Sequence, residues 1–411
     1  MTGPRDIVAD VRREPRPDLE AVGESTELLE RIRDDIRLNG PITFARFMER
    51  ALYEPGLGYY RSPDARPGRA GDFLTAPEAD PIFGTTMARQ LAEVWRRLGT
   101  PDRFIVREPG AGTGTLAIAI LRALAASKSS LVGCIRWQPE EIEPARLDAF
   151  GRALAVAGFP DVASPDDGTS IVGAIVANEV LDALAVHRVV GRPGGPRELF
   201  VGLGTDVVGL GTDGAAQFVD VEGDPSDPRL AARLSGEGIM LADGQRAEIC
   251  LAVHDWVGDQ AARLERGVLI AIDYGYPAAE LYDPIRRAGG TLRAYVRHRV
   301  HDDPFRHVGR QDLTAHVDVT AVEQAAADAA LDHLGTTTQA EFLTGLGIGE
   351  ILLELQADPA TTLPSYLATR AAVMRMLDPA AMGRFRVMVF GRGIALEPPL
   401  AGLAYRIPPR T

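Results

Sequence analysis

The sequence predicts an α/β protein with a mostly parallel, Rossmann-like sheet, and three observations carry this prediction. Nearly continuous apolar runs at 104–106, 171–177 and 267–272 are typical of parallel strands buried on both faces. A glycine-rich turn joins the first run to a helical stretch, 116–124. Acidic residues follow the second and third runs, at the strand ends where open α/β sheets bind ligands.

The composition excludes several classes of protein. The chain has 411 residues, of which 45% are hydrophobic, and a net charge of −13. No apolar run approaches the roughly 20 residues of a spanning helix, so we expect no membrane insertion. The acidic balance argues against nucleic-acid binding. Cys134 and Cys250 cannot form a CxxC site and are expected to be free buried thiols.

The first 25 residues are charged and lack the apolar core of a signal peptide, so they predict a disordered tail and, by default, a cytoplasmic location. Residues 26–100 predict a helical region that completes the active site. Helices are expected at 27–38, from Pro41 onward and at 82–98. The loop 71–78 before the last of these helices can be read either as part of the site or as a plain helix cap.

The glycine turn indicates which nucleotide it holds. Gly110, Gly112 and Gly114 give Gly-x-Gly-x-Gly, whereas a dinucleotide fingerprint needs a third glycine where Thr115 stands. The carboxylate of Glu108 would repel a pyrophosphate but not a cationic sulfonium ligand such as S-adenosylmethionine. A nicotinamide oxidoreductase and a purely structural turn remain the alternatives.

A candidate second strand, 130–135, precedes Glu140, Glu141 and Glu143. A carboxylate near the end of the second strand is the expected partner of ribose hydroxyls. The spacing alone does not choose among the three, and a solvated acidic face is the alternative.

Polar residues also end the two later strands. Asn178, Glu179 and Asp182 follow 171–177, and Asp273 follows 267–272. These acids could act on an acceptor or merely cap helices and form ion pairs. Residues 188–221 predict an antiparallel excursion, 289–295 a bent strand, 319–377 helices, and 385–391 a late antiparallel strand at the sheet edge.

Four of the seven histidines, His298, His301, His307 and His316, fall in one polar stretch. Their spacing does not fit a ligand set on a helix and no cysteine joins them, so we predict no metal site.

Taken in order, eight motifs across about 27–395 resemble the MidA family of S-adenosylmethionine-dependent methyltransferases, which includes a mitochondrial complex I assembly factor. They are Gly40-Pro41-Ile42-Thr43-Phe44, Tyr53-Glu54-Pro55 with Gly58-Tyr59-Tyr60, Gly71-Asp72-Phe73-Leu74-Thr75, Glu108 to Leu116, Ala177-Asn178-Glu179 with Asp182-Ala183-Leu184, Asp273-Tyr274-Gly275, Gly290-Thr291-Leu292-Arg293, and Asp312 to Asp318.

The resemblance implies a class I methyltransferase core with a seven-stranded sheet, over 101–294, a helical insertion on the substrate side, over 295–380, and an edge strand with a tail, over 381–411. It implies S-adenosylmethionine as cofactor and methylation of a protein arginine, on a complex I subunit in the mitochondrial branch. It also favours Glu141 as the ribose ligand, because Glu141 stands three residues before Pro144.

We expect three groups of site residues. The cofactor-binding set is Glu108, Gly110, Ala111, Gly112, Thr113, Gly114, Glu141 and Asn178. The catalytic set is Glu179, Asp182 and Asp273. The substrate-binding set is Thr75, His316 and Asp318.

Two positions depart from the family pattern. Thr113 stands where an arginine is common, and Val180-Leu181 replaces an aromatic pair, so a specialised peptide or small-molecule acceptor is an alternative. A noncatalytic assembly factor on the same scaffold is another. The expected partner is a protein or peptide substrate, and a homodimer is left open.

Overall fold

The computed structural model describes residues 22–62, 74–204, 216–297 and 299–407. Most of the expected tail, the start of the 71–75 motif and His298 lie outside them. The strands are β1 (Ile42–Thr43), β2 (Phe104–Pro109), β3 (Ile135–Glu140), β4 (Ile171–Asn178), β5 (His187–Arg192), β6 (Gly195–Leu203), β7 (Phe218–Gly223), β8 (Arg246–Ile249), β9 (Leu264–Asp273), β10 (Gly275–Tyr276), β11 (Arg293–Val296), β12 (Arg299–His301), β13 (Asp312–Thr314), β14 (Val317–Asp318), β15 (Asp332–Thr338) and β16 (Arg386–Arg392).

Helices cover both faces of the main sheet and form most of the N-terminal region. They are α1 (Thr26–Asn39), α2 (Phe44–Tyr53), α3 (Ala76–Ala79), α4 (Ile82–Arg97), α5 (Thr115–Ala126), α6 (Leu131–Cys134), α7 (Pro144–Val156), α8 (Arg229–Gly236), α9 (Ala252–Arg263), α10 (Ala278–Leu281), α11 (Val319–Asp328), α12 (Gln339–Gly345), α13 (Ile348–Ala357), α14 (Leu363–Leu377) and α15 (Ala401–Ala404).

The main sheet has the strand order β15-β16-β9-β4-β2-β3. The strands β3, β2, β4 and β9 run parallel, and β16 and β15 are antiparallel additions. Alternate residues of each strand face opposite layers of the core. Val106 and Ile270 pack with α4 and α5, while Ile175 and Leu269 pack with α9 and α11. The predicted α/β class is therefore confirmed, and the carboxyl ends of β2, β3, β4 and β9 meet at one edge.

A second, antiparallel sheet has the order β1-β6-β5-β8, with β7 also paired to β6. It confirms the excursion predicted at 188–221. The apolar faces of α1 and α2 pack on this sheet and on the segment that carries β11 and β13. This cluster fixes the N-terminal region beside the carboxyl edge of the main sheet. Pro41 does not begin α2, because β1 intervenes and Thr43 caps the helix by accepting from the Arg46 N–H.

The prediction of a strand at 130–135 was wrong. Residues 131–134 form α6, and β3 follows over a stretch that looks polar in sequence. Trp137 and Gln138 of that strand are buried nonetheless. Pairing with β2 overrides the local pattern. Pro139 is tolerated because, among the described residues, β3 is paired on its other side only at Trp137.

The stretch predicted as helical at 319–377 also contains β15, and this strand takes the sheet edge that had been assigned to β16. The resemblance implies a seventh strand in the main sheet. Among the described residues, one parallel bridge between Trp137 and Ala163 stands in its place beside β3. Pro165 follows at once, and Asp166 and Asp167 accept from nearby backbone N–H groups, so the chain turns away before a longer ladder can form.

The described helices include none that is both long enough and apolar enough to cross a membrane.

Candidate active site

The glycine turn between β2 and α5 has an open outer face. Gly110 and Gly112 take φ of 67° and 56°, in the left-handed region that favours glycine. A Cβ built on Gly112 would meet no protein atom within 4 Å, so the backbone here faces free space. Gly114 is the N-cap of α5, so the turn leads directly into the N-terminus of that helix. Ala111 is buried beneath the turn and Thr113 is exposed on it.

Of the three candidate glutamates after β3, Glu141 lies on the turn. Its Oε1 accepts from the Gly112 N–H at 2.7 Å, and Arg146 lies 3.6 Å from its other oxygen. The carboxylate of Glu140 is bound instead by Arg107 at 2.8 Å. Glu143 precedes α7 without capping it through its side chain.

Glu108 lies beneath the turn, where it is only 5% exposed. Its carboxylate accepts from Nε1 of Trp137 at 2.7 Å. Burial raises the pKa of Glu108 to about 8, and the nearby charge of Glu141 adds to this rise, while the Trp137 hydrogen bond opposes it.

These residues fit S-adenosylmethionine. The open face at Gly112 leaves room for a ligand, and Glu141 sets a carboxylate at its edge. Asn178, at the end of β4, has a buried Oδ1 with no hydrogen-bond partner in the described structure. An ammonium group supplies the donor that such an oxygen needs.

We name the ends of β4 and β9, whose acids are predicted to act on an acceptor, the acceptor side. Its first residue is Glu179, which follows β4. Its φ is 54°, a left-handed conformation that is uncommon outside glycine. Its N–H donates to Ile272 O at 2.8 Å, and its carboxylate accepts from Asn178 Nδ2 at 3.0 Å. Burial, then the charge of Asp182, raises the pKa of Glu179 to about 8.

The glycine turn and the acceptor side are in contact. A Cβ built on Gly110 would lie 3.1 Å from Cγ2 of Val180, so the segment after β4 packs directly against the glycine turn. The predicted convergence of these strand ends is therefore present.

Asp273 and Asp182 play different parts. One oxygen of Asp273 accepts from the N–H groups of Val180, Leu181 and Asp182 at 2.8–3.2 Å, and the other accepts from its own neighbour Tyr274. Asp273 thus fixes the turn that carries Glu179. Asp182 is 5% exposed and accepts from the Tyr274 hydroxyl. Burial raises the pKa of Asp182 to about 6, against that hydrogen bond.

Two of the three expected substrate residues are engaged as helix caps. The Thr75 hydroxyl donates to Glu78 at the start of α3. Asp318 accepts from the Ala321 N–H at the start of α11 and from the Tyr282 hydroxyl.

His316 lies on the acceptor side, with Nδ1 3.0 Å from Nη1 of Arg287. Because arginine only donates, this nitrogen of His316 is the acceptor. Burial and then the charges of Arg287, Arg384 and Arg293 lower the pKa of His316 to about 3.

Three further residues have contacts beside the candidate site and were not among the residues predicted from the sequence. The Tyr53 hydroxyl donates to Ala183 O and that of Tyr60 to Asp312, both at 2.9 Å, and their rings stack at 5.5 Å. Arg146 donates to Tyr60 O at 2.9 Å and also faces Glu141. Both tyrosines lie in motifs that the resemblance used, and that was the available signal.

Within the described ranges no group of three histidine, cysteine or acidic residues could hold a metal ion. Cys134 and Cys250 are free and partly buried.

Comparison with known proteins identifies the family. Residues 86–337 match the family described as "Putative S-adenosyl-L-methionine-dependent methyltransferase". The protein arginine methyltransferase NDUFAF7 homolog, mitochondrial, of Drosophila melanogaster is 30% identical and covers 93% of this chain and 89% of its own length. Human NDUFAF7, named in the same way, is 26% identical over 82% of this chain and 77% of its own length.

A solved structure agrees. A crystal structure from Burkholderia thailandensis, with bound S-adenosyl-homocysteine, is 35% identical and superposes with a TM-score of 0.80, covering 95% of this chain and 97% of that one.

The expected cytoplasmic location was wrong, because these curated relatives are named as mitochondrial proteins. That expectation had rested only on the lack of a recognisable leader, which is not positive evidence. The open face at Gly112 and the carboxylate of Glu141 agree with the matches over most of the sequence. The chain belongs to this family of S-adenosylmethionine-dependent methyltransferases, and S-adenosylmethionine is its cofactor.

Proposed function

We propose that the chain methylates the guanidinium group of a protein arginine, with Glu179 as the acceptor's main partner. The observation that carries this proposal is the crowding of acids beside the open glycine turn. Glu179, Asp182 and Asp273 lie together at the ends of β4 and β9. Burial raises the pKa of Glu179 and of Asp273, and the charge of Asp182 adds to both rises. A guanidinium would bring the positive charge that these carboxylates lack.

Glu179 suits the role because no cation within the described residues holds its carboxylate. Its hydrogen-bond partners in the described structure are the Asn178 amide and the Ala76 backbone N–H, which are both uncharged. A carboxylate and a guanidinium form strong, planar, paired hydrogen bonds. Such a pair would fix the plane of the acceptor, and a carboxylate with a pKa near neutrality can accept the proton that methylation releases.

The bound cofactor supplies an activated methyl group on a sulfonium. The protein's part is to position the acceptor and keep water out. In the proposal Glu141 and the Gly112 backbone hold the cofactor and Asn178 its ammonium group. Tyr274 orients Asp182, and Asp273 acts through the backbone it holds rather than on the acceptor.

We also retain the division into regions. In the proposal, residues 26–100 contribute Tyr53 and Tyr60 beside the acceptor, and residues 295–380 contribute His316. The names of the relatives support a protein arginine as acceptor, since the fly and human proteins are both called protein arginine methyltransferases.

The test is direct. Purified chain and methyl-labelled S-adenosylmethionine are added to extract from cells that lack the chain, and labelled proteins are analysed by mass spectrometry. We expect label on arginine. Label only on small molecules would move the assignment to a specialised acceptor, and binding without release of S-adenosylhomocysteine would indicate a noncatalytic assembly factor.

A further inference from the structure

The mouth of the acceptor side carries a set of arginines that the proposed chemistry does not use. We name Arg287, Arg293 and Arg384 the arginine rim. They come from the segment after α10, the start of β11 and the turn before β16, and their positive charges act together on His316. Three guanidiniums at one place are notable in a chain with a net charge of −13.

One member of the rim, Arg287, is held in place by an aromatic ring. The guanidinium of Arg287 stacks on Tyr276, 4.0 Å from the ring centre, while it donates to His316. Arg386 lies over the same ring at 5.9 Å, and its Nε is buried with no hydrogen-bond partner in the described structure. Stacking orients a guanidinium and still leaves its edge for a carboxylate.

The rim also adjoins the acceptor carboxylates. The ring of His316 lies 5.6 Å from that of Tyr274, whose hydroxyl donates to Asp182. Tyr295 lies near both sets: burial and then the charge of Asp182 raise the pKa of its hydroxyl, and the charges of Arg293 and Arg384 oppose this rise. If an extended peptide places its arginine at Glu179, the residues that flank this arginine would therefore lie against the rim.

Internal partners neutralise the rim only weakly. Arg293 lies 3.5 Å from Asp302, whose side chain is 82% exposed. Arg386, which shares the Tyr276 ring with the rim, lies 3.9 Å from Glu280. Exposed pairs at such distances contribute little. Arg384 is exposed and has no salt bridge among the described residues.

We propose that the arginine rim binds acidic side chains of the substrate protein and so selects an acceptor residue that lies in an acidic stretch. This rests on the proposed function for the identity of the acceptor, but not for the rim's own preference for anions. The site would be bipolar, with carboxylates for the acceptor's guanidinium and guanidiniums for the acceptor's flanks. Such an arrangement also fixes the direction in which the peptide lies.

The test uses labelled synthetic peptides that carry a central arginine flanked by either glutamates or glutamines, and a second pair in which the central residue is glutamine. Binding to the full chain is measured by fluorescence anisotropy in the presence of S-adenosylhomocysteine, and methylation is measured with the active cofactor. We expect about tenfold tighter binding of the glutamate-flanked peptide of each pair, the effect of roughly one charge-assisted hydrogen bond.

Arg384→Gln should remove most of this preference and Arg384→Lys should keep part of it. Arg122→Gln is the matched control, because Arg122 is exposed on α5 and lies two turns beyond the glycine turn. It removes the same charge and should change nothing.

Equal binding of the glutamate and glutamine peptides would overturn the proposal, as would equal competition by an RNA of similar charge, which would indicate a general polyanion surface. A flank preference without methylation of arginine would leave the rim established and would refute the proposed acceptor instead.

Discussion

The cofactor side and the acceptor side of this site are built in different ways. On the cofactor side, backbone geometry does most of the work: glycine conformations, helix N–H groups and one carboxylate bound to Gly112. On the acceptor side, side chains from β4, β9 and the N-terminal region converge, and several are buried acids. A short motif can encode the first arrangement, whereas the second depends on contacts between residues distant in sequence.

The largest expected effect is on the cofactor side. Gly112→Val should lower affinity for S-adenosylhomocysteine by about 10²-fold or more, because the valine side chain occupies the open space above the turn. Isothermal titration calorimetry measures this loss. Gly158→Val is the matched control, since Gly158 also has a positive φ and open surroundings but follows α7. If both variants bind normally, the cradle lies elsewhere.

Next comes the acceptor side. Glu179→Gln should leave cofactor affinity intact and reduce methyl transfer by about 10²-fold, the scale of a lost acid–base group. Gln preserves the size and the Asn178 contact but neither ionises nor accepts a proton. Single-turnover kinetics with an identified acceptor measure the rate. Full activity would contradict the role given to Glu179.

The pH profile sharpens this assignment. Glu179 must be ionised to act, and its pKa is raised to about 8, so kcat/KM should rise with pH up to about 8 and fall about tenfold per unit below it. A bound cationic acceptor favours the ionised form, so the same limb in kcat should lie at lower pH.

Glu108 has a similarly raised pKa, so it provides the control for this profile. The acidic limb should disappear in the residual activity of Glu179→Gln and persist in Glu108→Gln. The opposite pattern would show that the acidic limb reports Glu108, on the cofactor side.

The smallest expected effect is again on the cofactor side. Glu141→Gln should weaken cofactor binding by about tenfold, since it replaces a charged acceptor of the Gly112 N–H with a neutral one. At saturating cofactor kcat should stay unchanged, the reverse of Glu179→Gln. Glu140→Gln, whose wild-type carboxylate is bound by Arg107, should bind the cofactor normally, and an equal loss there would show a nonspecific effect of charge.

Much of the parallel sheet could be predicted from sequence because buried strands need apolar residues on both faces, as in β4 and β9. The polar β3 and the threonine-rich β15 could not, since pairing with β2 and β16 stabilises them. The same division holds for the site. Gly110 and Gly112 reveal a turn by their own chemistry.

The contacts of the acids could be predicted only in part. Nothing near Asp273 in sequence indicates that it accepts from the N–H groups of residues 180–182, and nothing near Glu140 indicates Arg107. Thr75 and Asp318 carry cap signals that were read as contacts with substrate. Tyr53 and Arg146 need the packed N-terminal region before their contacts exist.

The left-handed backbone of Glu179 has a consequence for the stability of the protein. Such a conformation costs a residue with a side chain about 1–2 kcal/mol relative to the ordinary helical one, and glycine avoids most of that cost. Selection for folding alone would therefore favour glycine at position 179. If Glu179 has the proposed role, the glutamate trades stability for a carboxylate at a fixed place, and a search for heat-tolerant variants that replaces it by glycine should lose methyl transfer.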